Sequence, residues 1–171
     1  METKVTSPAI KGVIISLVLI IFSLVIQFMK LTQNKGIGGI GMLIFFGAII
    51  WCCINYSNQM NANVTYGNVF THAFKTTAAI TAIMVVFTVI SLKLLFPDSL
   101  NEAMRQAESE MEKGNMPEDQ METAMNFTRK FFVPLAIGGA LLGYMIIGVI
   151  ASLIGAAVAK KNPQTPFTPQ G

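Results

Sequence analysis

A chain of 171 residues would ordinarily form one soluble domain, but 53% hydrophobic against 12% charged residues departs from the soluble average towards a membrane protein. The net charge of +3 comes from lysines near the ends of apolar blocks. Basic residues clustered with aromatics on one face, the footprint of a nucleic-acid partner, are missing, so no nucleic acid is expected.

The apolar residues fall in four blocks, about 10–29, 37–56, 73–96 and 135–159. Each is near the ~20 residues a helix needs to cross ~30 Å of hydrocarbon. The expected fold is an all-α integral membrane protein, one membrane domain of four transmembrane helices with an amphipathic helical hairpin between helices three and four. The first block is longer than the apolar run of a secretory signal and ends without a small-x-small cleavage site, so it reads as a retained anchor. Its small and polar residues, Gly12, Ser16, Ser23 and Gln27, share a stripe that should face the bundle.

The second block opens on Gly36-Ile37-Gly38-Gly39-Ile40-Gly41. A phosphate-cradling loop would need a preceding strand, or the lysine and hydroxyl of a P-loop, and neither is present; close helix packing is the better account. Cys52 and Cys53 are adjacent and the chain has no other cysteine, so both read as packing residues. Trp51 and Tyr56 read as interfacial aromatics. A polar, turn-rich linker is expected over 57–72.

In the third block Thr77, Thr81, Thr88 and Ser91 form a hydroxyl stripe. Lys75 and Lys93, eighteen residues or about 27 Å apart on a helix, can reach opposite interfaces. His72 stands at the mouth of this span with no carboxylate or nucleophile near it in sequence, as an interfacial polar residue would.

Residues 98–130 form the acidic region, with eight carboxylates against four basic groups. Ser99 and Glu102 suggest a capping box, Leu100, Met104, Ala107 and Met111 recur at helical spacing, and Gly114 is placed to end the helix. Pro117, Glu118 and Asp119 suggest a second start, whose apolar face runs through Met121, Met125 and Thr128. The final block sorts its side chains by size. Gly139, Gly143, Gly148, Ser152 and Gly155 lie on small rows, whereas Leu142, Ile146, Ile150, Ile154 and Val158 form a bulky row. A Pro-rich tail, 162–171, is expected to be disordered and extended.

No Asp or Glu lies inside the four blocks, and no metal-ligand cluster, zincin motif or nucleophile elbow occurs. No cofactor and no metal are expected. The leading expectation is a non-enzymatic structural or accessory membrane component acting through its helix-packing residues Gly139, Gly143, Gly148, Ser152 and Gly155. Its partners would be membrane lipids and a membrane protein or a second copy of the chain. The alternative is a small-solute transporter or channel whose polar path is lined by Gln27, Thr77, Thr81 and Thr88.

The run Tyr66-Gly67-Asn68-Val69-Phe70-Thr71-His72-Ala73-Phe74-Lys75-Thr76-Thr77-Ala78, the acidic hairpin, and the ending Ser152-Leu153-Ile154-Gly155-Ala156-Ala157-Val158-Ala159-Lys160-Lys161-Asn162-Pro163 resemble a family of small bacterial membrane proteins, domain of unknown function 4199. The resemblance implies four spans in an inner membrane and supplies no activity. Both termini are expected in the cytoplasm because Lys4, Lys11, Lys160 and Lys161 have no carboxylate among them except Glu2, although Lys30, Lys35, Arg105, Lys113, Arg129 and Lys130 would then lie outside and the raw count does not follow the positive-inside rule.

Overall fold

The computed structural model describes residues 5–29, 31 and 35–163. Helix α1 spans Pro8–Phe28, α2 Lys35–Gln59, α3 Tyr66–Ile90, α4 Ser99–Lys113 and α5 Glu118–Val158. Four segments, Pro8–Phe28, Gly38–Gln59, Tyr66–Leu95 and Glu118–Val158, are long and apolar enough to cross a membrane. No strand occurs among the described residues. Lys4, Lys30 and tail residues 164–171 lie outside the described residues, so the expectations placed on them are not addressed.

The helix boundaries follow from local chemistry. Ser7 caps α1, its Oγ accepting the Ile10 N–H at 3.3 Å, and Pro8 fills the first helical position, where no N–H is needed. Helix α2 ends in a Schellman motif: the Asn61 N–H donates to the Asn58 carbonyl at 3.0 Å and the Ala62 N–H to the Ser57 carbonyl at 2.8 Å. Asn61 supplies the left-handed residue at φ 51°, and Ala62 follows at φ 60°. Helix α3 begins at Tyr66, so the linker expected over 57–72 is shorter than its composition suggests. The cause is Thr65, whose Oγ1 accepts the Asn68 N–H at 3.3 Å, while its carbonyl accepts the Val69 N–H at 3.2 Å. Gly67 and Asn68, turn formers by composition, therefore sit in the first helical turn.

The chain divides into two compact units, one made of Met1–Ile83 with Gly143–Gly171 and the other of Met84–Leu142. In the first unit, α2 and α3 each touch both α1 and α5, and several close approaches go through glycine. A Cβ on Gly12 would meet the Ala79 Cβ of α3 at 2.7 Å; one on Gly155 would meet the Cys53 Sγ of α2 at 2.6 Å; one on Gly148 would overlap the Thr77 side chain of α3. Phe45 of α2 packs edge-to-face on Tyr144 of α5, centroids 5.2 Å apart. Phe45, Ile49, Val69 and Ile80 are fully buried. The end of α5 is tied to the turn after α2, because Ser57 Oγ donates to the Lys160 carbonyl and the Asn162 N–H to the Ala62 carbonyl at 2.7 Å. Lys161 Nζ donates to the carbonyls of Ala156, Ala157 and Ala159, satisfying acceptors that the last turn leaves open.

In the second unit α3 closes with a π turn, Ser91–Leu95, the Phe96 N–H reaching back to the Ser91 carbonyl at 2.8 Å. The capping box does not form. Asp98 is the N-cap, Ser99 is already helical, and the Glu102 N–H donates to the Asp98 carbonyl at 3.1 Å. Helix α4 ends at Gly114 in a second Schellman motif, with Met116 N–H to Met111 carbonyl at 3.2 Å and Asn115 N–H to Glu112 carbonyl at 3.1 Å. Asn115, at φ 51°, takes the left-handed conformation, and Gly114 does not. On α4 Met104 is buried and Leu100, Ala107 and Met111 are half-buried, so the apolar stripe is the shielded one. The segment after Pro117 is the start of α5 itself, which runs without a break through Pro134. Proline there removes one helical hydrogen bond, and the helix continues past it.

Candidate functional site

One end of the first unit brings together two buried basic side chains, Lys11 and His72, and the half-buried Tyr56. Lys11 lies in the first turn of α1, Tyr56 in the last turn of α2 and His72 in the second turn of α3. Lys11 is 3% exposed and His72 7% exposed. The Tyr56 ring is their shared neighbour: the His72 imidazole stacks on it with centroids 4.0 Å apart and planes at 16°, and Lys11 Nζ stands 5.9 Å from its centroid. An ammonium over an aromatic face is attracted by the ring quadrupole, and burial strengthens that attraction.

Below this cluster the interior remains polar. Cys52 Sγ lies 3.6 Å from Thr76 Oγ1, and the Thr76 hydroxyl donates to the His72 carbonyl at 3.0 Å. Ser16 Oγ donates to the Gly12 carbonyl at 2.7 Å. Above it, Thr6 and Gln59 exchange two hydrogen bonds: the Thr6 N–H donates to Gln59 Oε1 at 3.1 Å, and Gln59 Nε2 donates to Thr6 Oγ1 at 3.0 Å. Among the described residues, Lys11 Nζ, His72 Nε2, Thr77 Oγ1 and Thr81 Oγ1 are buried side-chain atoms with no protein hydrogen-bond partner. A buried polar atom left unpartnered costs about 1–3 kcal/mol, more when charged, so such atoms mark places where structure answers to something besides packing.

The expected helix-packing residues divide. Gly148, Ser152 and Gly155 are buried, with Ser152 Oγ donating to the Gly148 carbonyl at 2.6 Å and Cys53 Sγ 4.0 Å from the Ser152 carbonyl. A Cβ on Gly139 or Gly143 would meet nothing within 4 Å. The residues of the expected polar path also divide. Thr77 and Thr81 are buried and unpartnered, whereas the Thr88 hydroxyl donates to the Met84 carbonyl at 2.8 Å and Gln27 Nε2 to Ser23 Oγ at 3.2 Å. Cys52 and Cys53 are both fully buried free thiols. Lys75 and Lys93 are exposed.

Lys11 is the residue whose burial the sequence pattern did not show. Close to the start of an apolar helix, it has the signature of a headgroup anchor. The available signal was its position one residue before Gly12, whose missing side chain draws α1 against Thr76 and Ala79 and takes the lysine in with it. His72, at the mouth of its span, is buried for a related reason, the stacking of its ring on Tyr56.

A family model described as "Protein of unknown function (DUF4199)" matches residues 11–161. No curated protein matches the chain, and no solved structure matches it.

Proposed function

We propose that this chain, which belongs to the DUF4199 family of proteins of unknown function, is a multi-pass membrane protein that works by helix packing, as a non-enzymatic structural or accessory component of a bacterial inner membrane. One observation about α5 carries the reading. Towards its C-terminal end Gly148 and Gly155 are occupied by Thr77 and Cys53 of the same chain, while Gly138, Gly139 and Gly143 have open space where a side chain would stand. Leu142, Ile146, Ile150, Ile154 and Val158 point outward along the same helix. Bulky outward rows suit lipid, and uncovered small residues let a second backbone approach closely, the usual basis of helix association in membranes. The partner is another membrane protein or a second copy of this chain.

The test replaces Gly139 and Gly143 by Leu and follows assembly by cross-linking in native membranes. Loss of a cross-linked species, with thermal stability in detergent preserved, is the expected result; unchanged assembly refutes the reading. Both termini are assigned to the cytoplasm on Lys160 and Lys161, which have no carboxylate near them in sequence, without Lys11, whose side chain is buried; the raw count of Lys and Arg on the two sides does not itself follow the positive-inside rule. A reporter active only in the cytoplasm, fused after Gly171, tests that assignment.

A second reading, a small-solute transporter or channel, is favoured by the unpartnered hydroxyls of Thr77 and Thr81. Flux into proteoliposomes that disappears in Thr81→Val would establish it.

A further inference from the structure

We infer that the Lys11–Tyr56–His72 cluster is a binding site for an oxyanion of the phosphate class, presented by a phospholipid headgroup or by a free phosphate. The first ground is the pair of orphaned donors. Lys11 Nζ and His72 Nε2 are both buried, both without a protein partner among the described residues, and both beside the Tyr56 ring.

The second ground is charge. Of the nine Asp and Glu residues in the chain, eight lie between positions 98 and 122, in the other compact unit; the ninth is Glu2. The helical stretches of that first unit therefore hold no carboxylate, and a buried ammonium without a counter-ion is strongly disfavoured. An ammonium and an imidazole N–H are both donors, and phosphate offers several acceptor oxygens to both at once.

The third ground is depth. Lys11 is three residues inside the start of α1, Tyr56 three residues inside the end of α2, and His72 six residues inside the start of α3. At 1.5 Å per residue these are about 4.5, 4.5 and 9 Å from the helix ends, all on one side of the first unit. A headgroup phosphate held at the edge of the bundle would stand at that level. Only this lipid source rests on the membrane reading; binding of free phosphate does not.

The experiment uses the full-length protein, stripped of lipid in a neutral detergent, with two probes: inorganic phosphate and dioleoylphosphatidylglycerol. Melting temperature and native mass spectrometry report binding. The expected result is a rise in melting temperature with at least one probe, and an affinity roughly tenfold to a hundredfold weaker in Lys11→Met and in His72→Ala. A response to inorganic phosphate identifies a soluble oxyanion, and a response to the lipid alone identifies a headgroup. Without probe, Lys11→Met should melt no lower than the parent, since it removes an unpaired buried charge. No binding of either probe, or binding undiminished in both variants, overturns the proposal. So does a loss of stability in Lys11→Met matched by Glu2→Gln, because Glu2 would then be the lysine's own counter-ion.

Discussion

Gly143 and Gly148 lie five residues apart on α5, and substituting each by alanine should have opposite effects. Alanine in place of glycine within a helix gains about 1 kcal/mol from propensity at either site. At Gly143 that gain stands alone, because an added Cβ meets nothing within 4 Å. At Gly148 the same Cβ runs into Thr77, lying 2.8 Å from its Oγ1 and 3.1 Å from its Cβ, and Thr77 is fully buried with no room to retreat. Overpacking of this kind costs about 1–3 kcal/mol, so Gly148→Ala should be less stable than Gly143→Ala by about that amount. Thr77→Ala removes the atoms responsible for the closest overlap. The double variant Gly148→Ala with Thr77→Ala should therefore recover most of the loss, giving a favourable coupling energy in a double-mutant cycle. Reversible unfolding in mixed detergent–SDS micelles measures all four proteins. Equal stability of Gly148→Ala and Gly143→Ala would refute the packing of α3 against α5 through this pair.

Two other expectations concern the ends of α2. Ala62 adopts φ 60°, where a Cβ costs about 1–2 kcal/mol, so Ala62→Gly should raise stability by about 1 kcal/mol in the same unfolding assay. Cys52 and Cys53 are fully buried, so a maleimide should label neither in the folded protein and both once SDS has unfolded it; rapid labelling of the native state would contradict the contact of α2 with α3 and α5.

The four apolar segments and the two faces of α5 were legible because each is a property of neighbouring residues. Hydrophobic length needs no partner to be recognised, and side chains four apart share a helix face in any helix. The row Leu142, Ile146, Ile150, Ile154, Val158 is outward and the row Gly148, Ser152, Ala156 is buried, as their sizes require. Helix starts were less legible where a single side chain decides them. Thr65 begins α3 ahead of its apolar block, while α4 starts one residue earlier than the pattern Ser99 to Glu102 suggested, with Asp98 at the N-cap position and no side-chain cap.

What the sequence by itself determined, then, is the number of helices long and apolar enough to cross a membrane, the size-sorted faces and the concentration of acid in one region. Tertiary structure alone decided which small residues are occupied: Gly148 and Gly155 differ from Gly139 and Gly143 only in what α2 and α3 bring against them. It also decided the polar cluster. Lys11, Tyr56 and His72 lie on three different helices, and each taken singly has the pattern of an interfacial side chain. Burial of a charge depends on the neighbours that surround it, and those neighbours are set by the packing of α1 on α3 through Gly12 and of Tyr56 on His72.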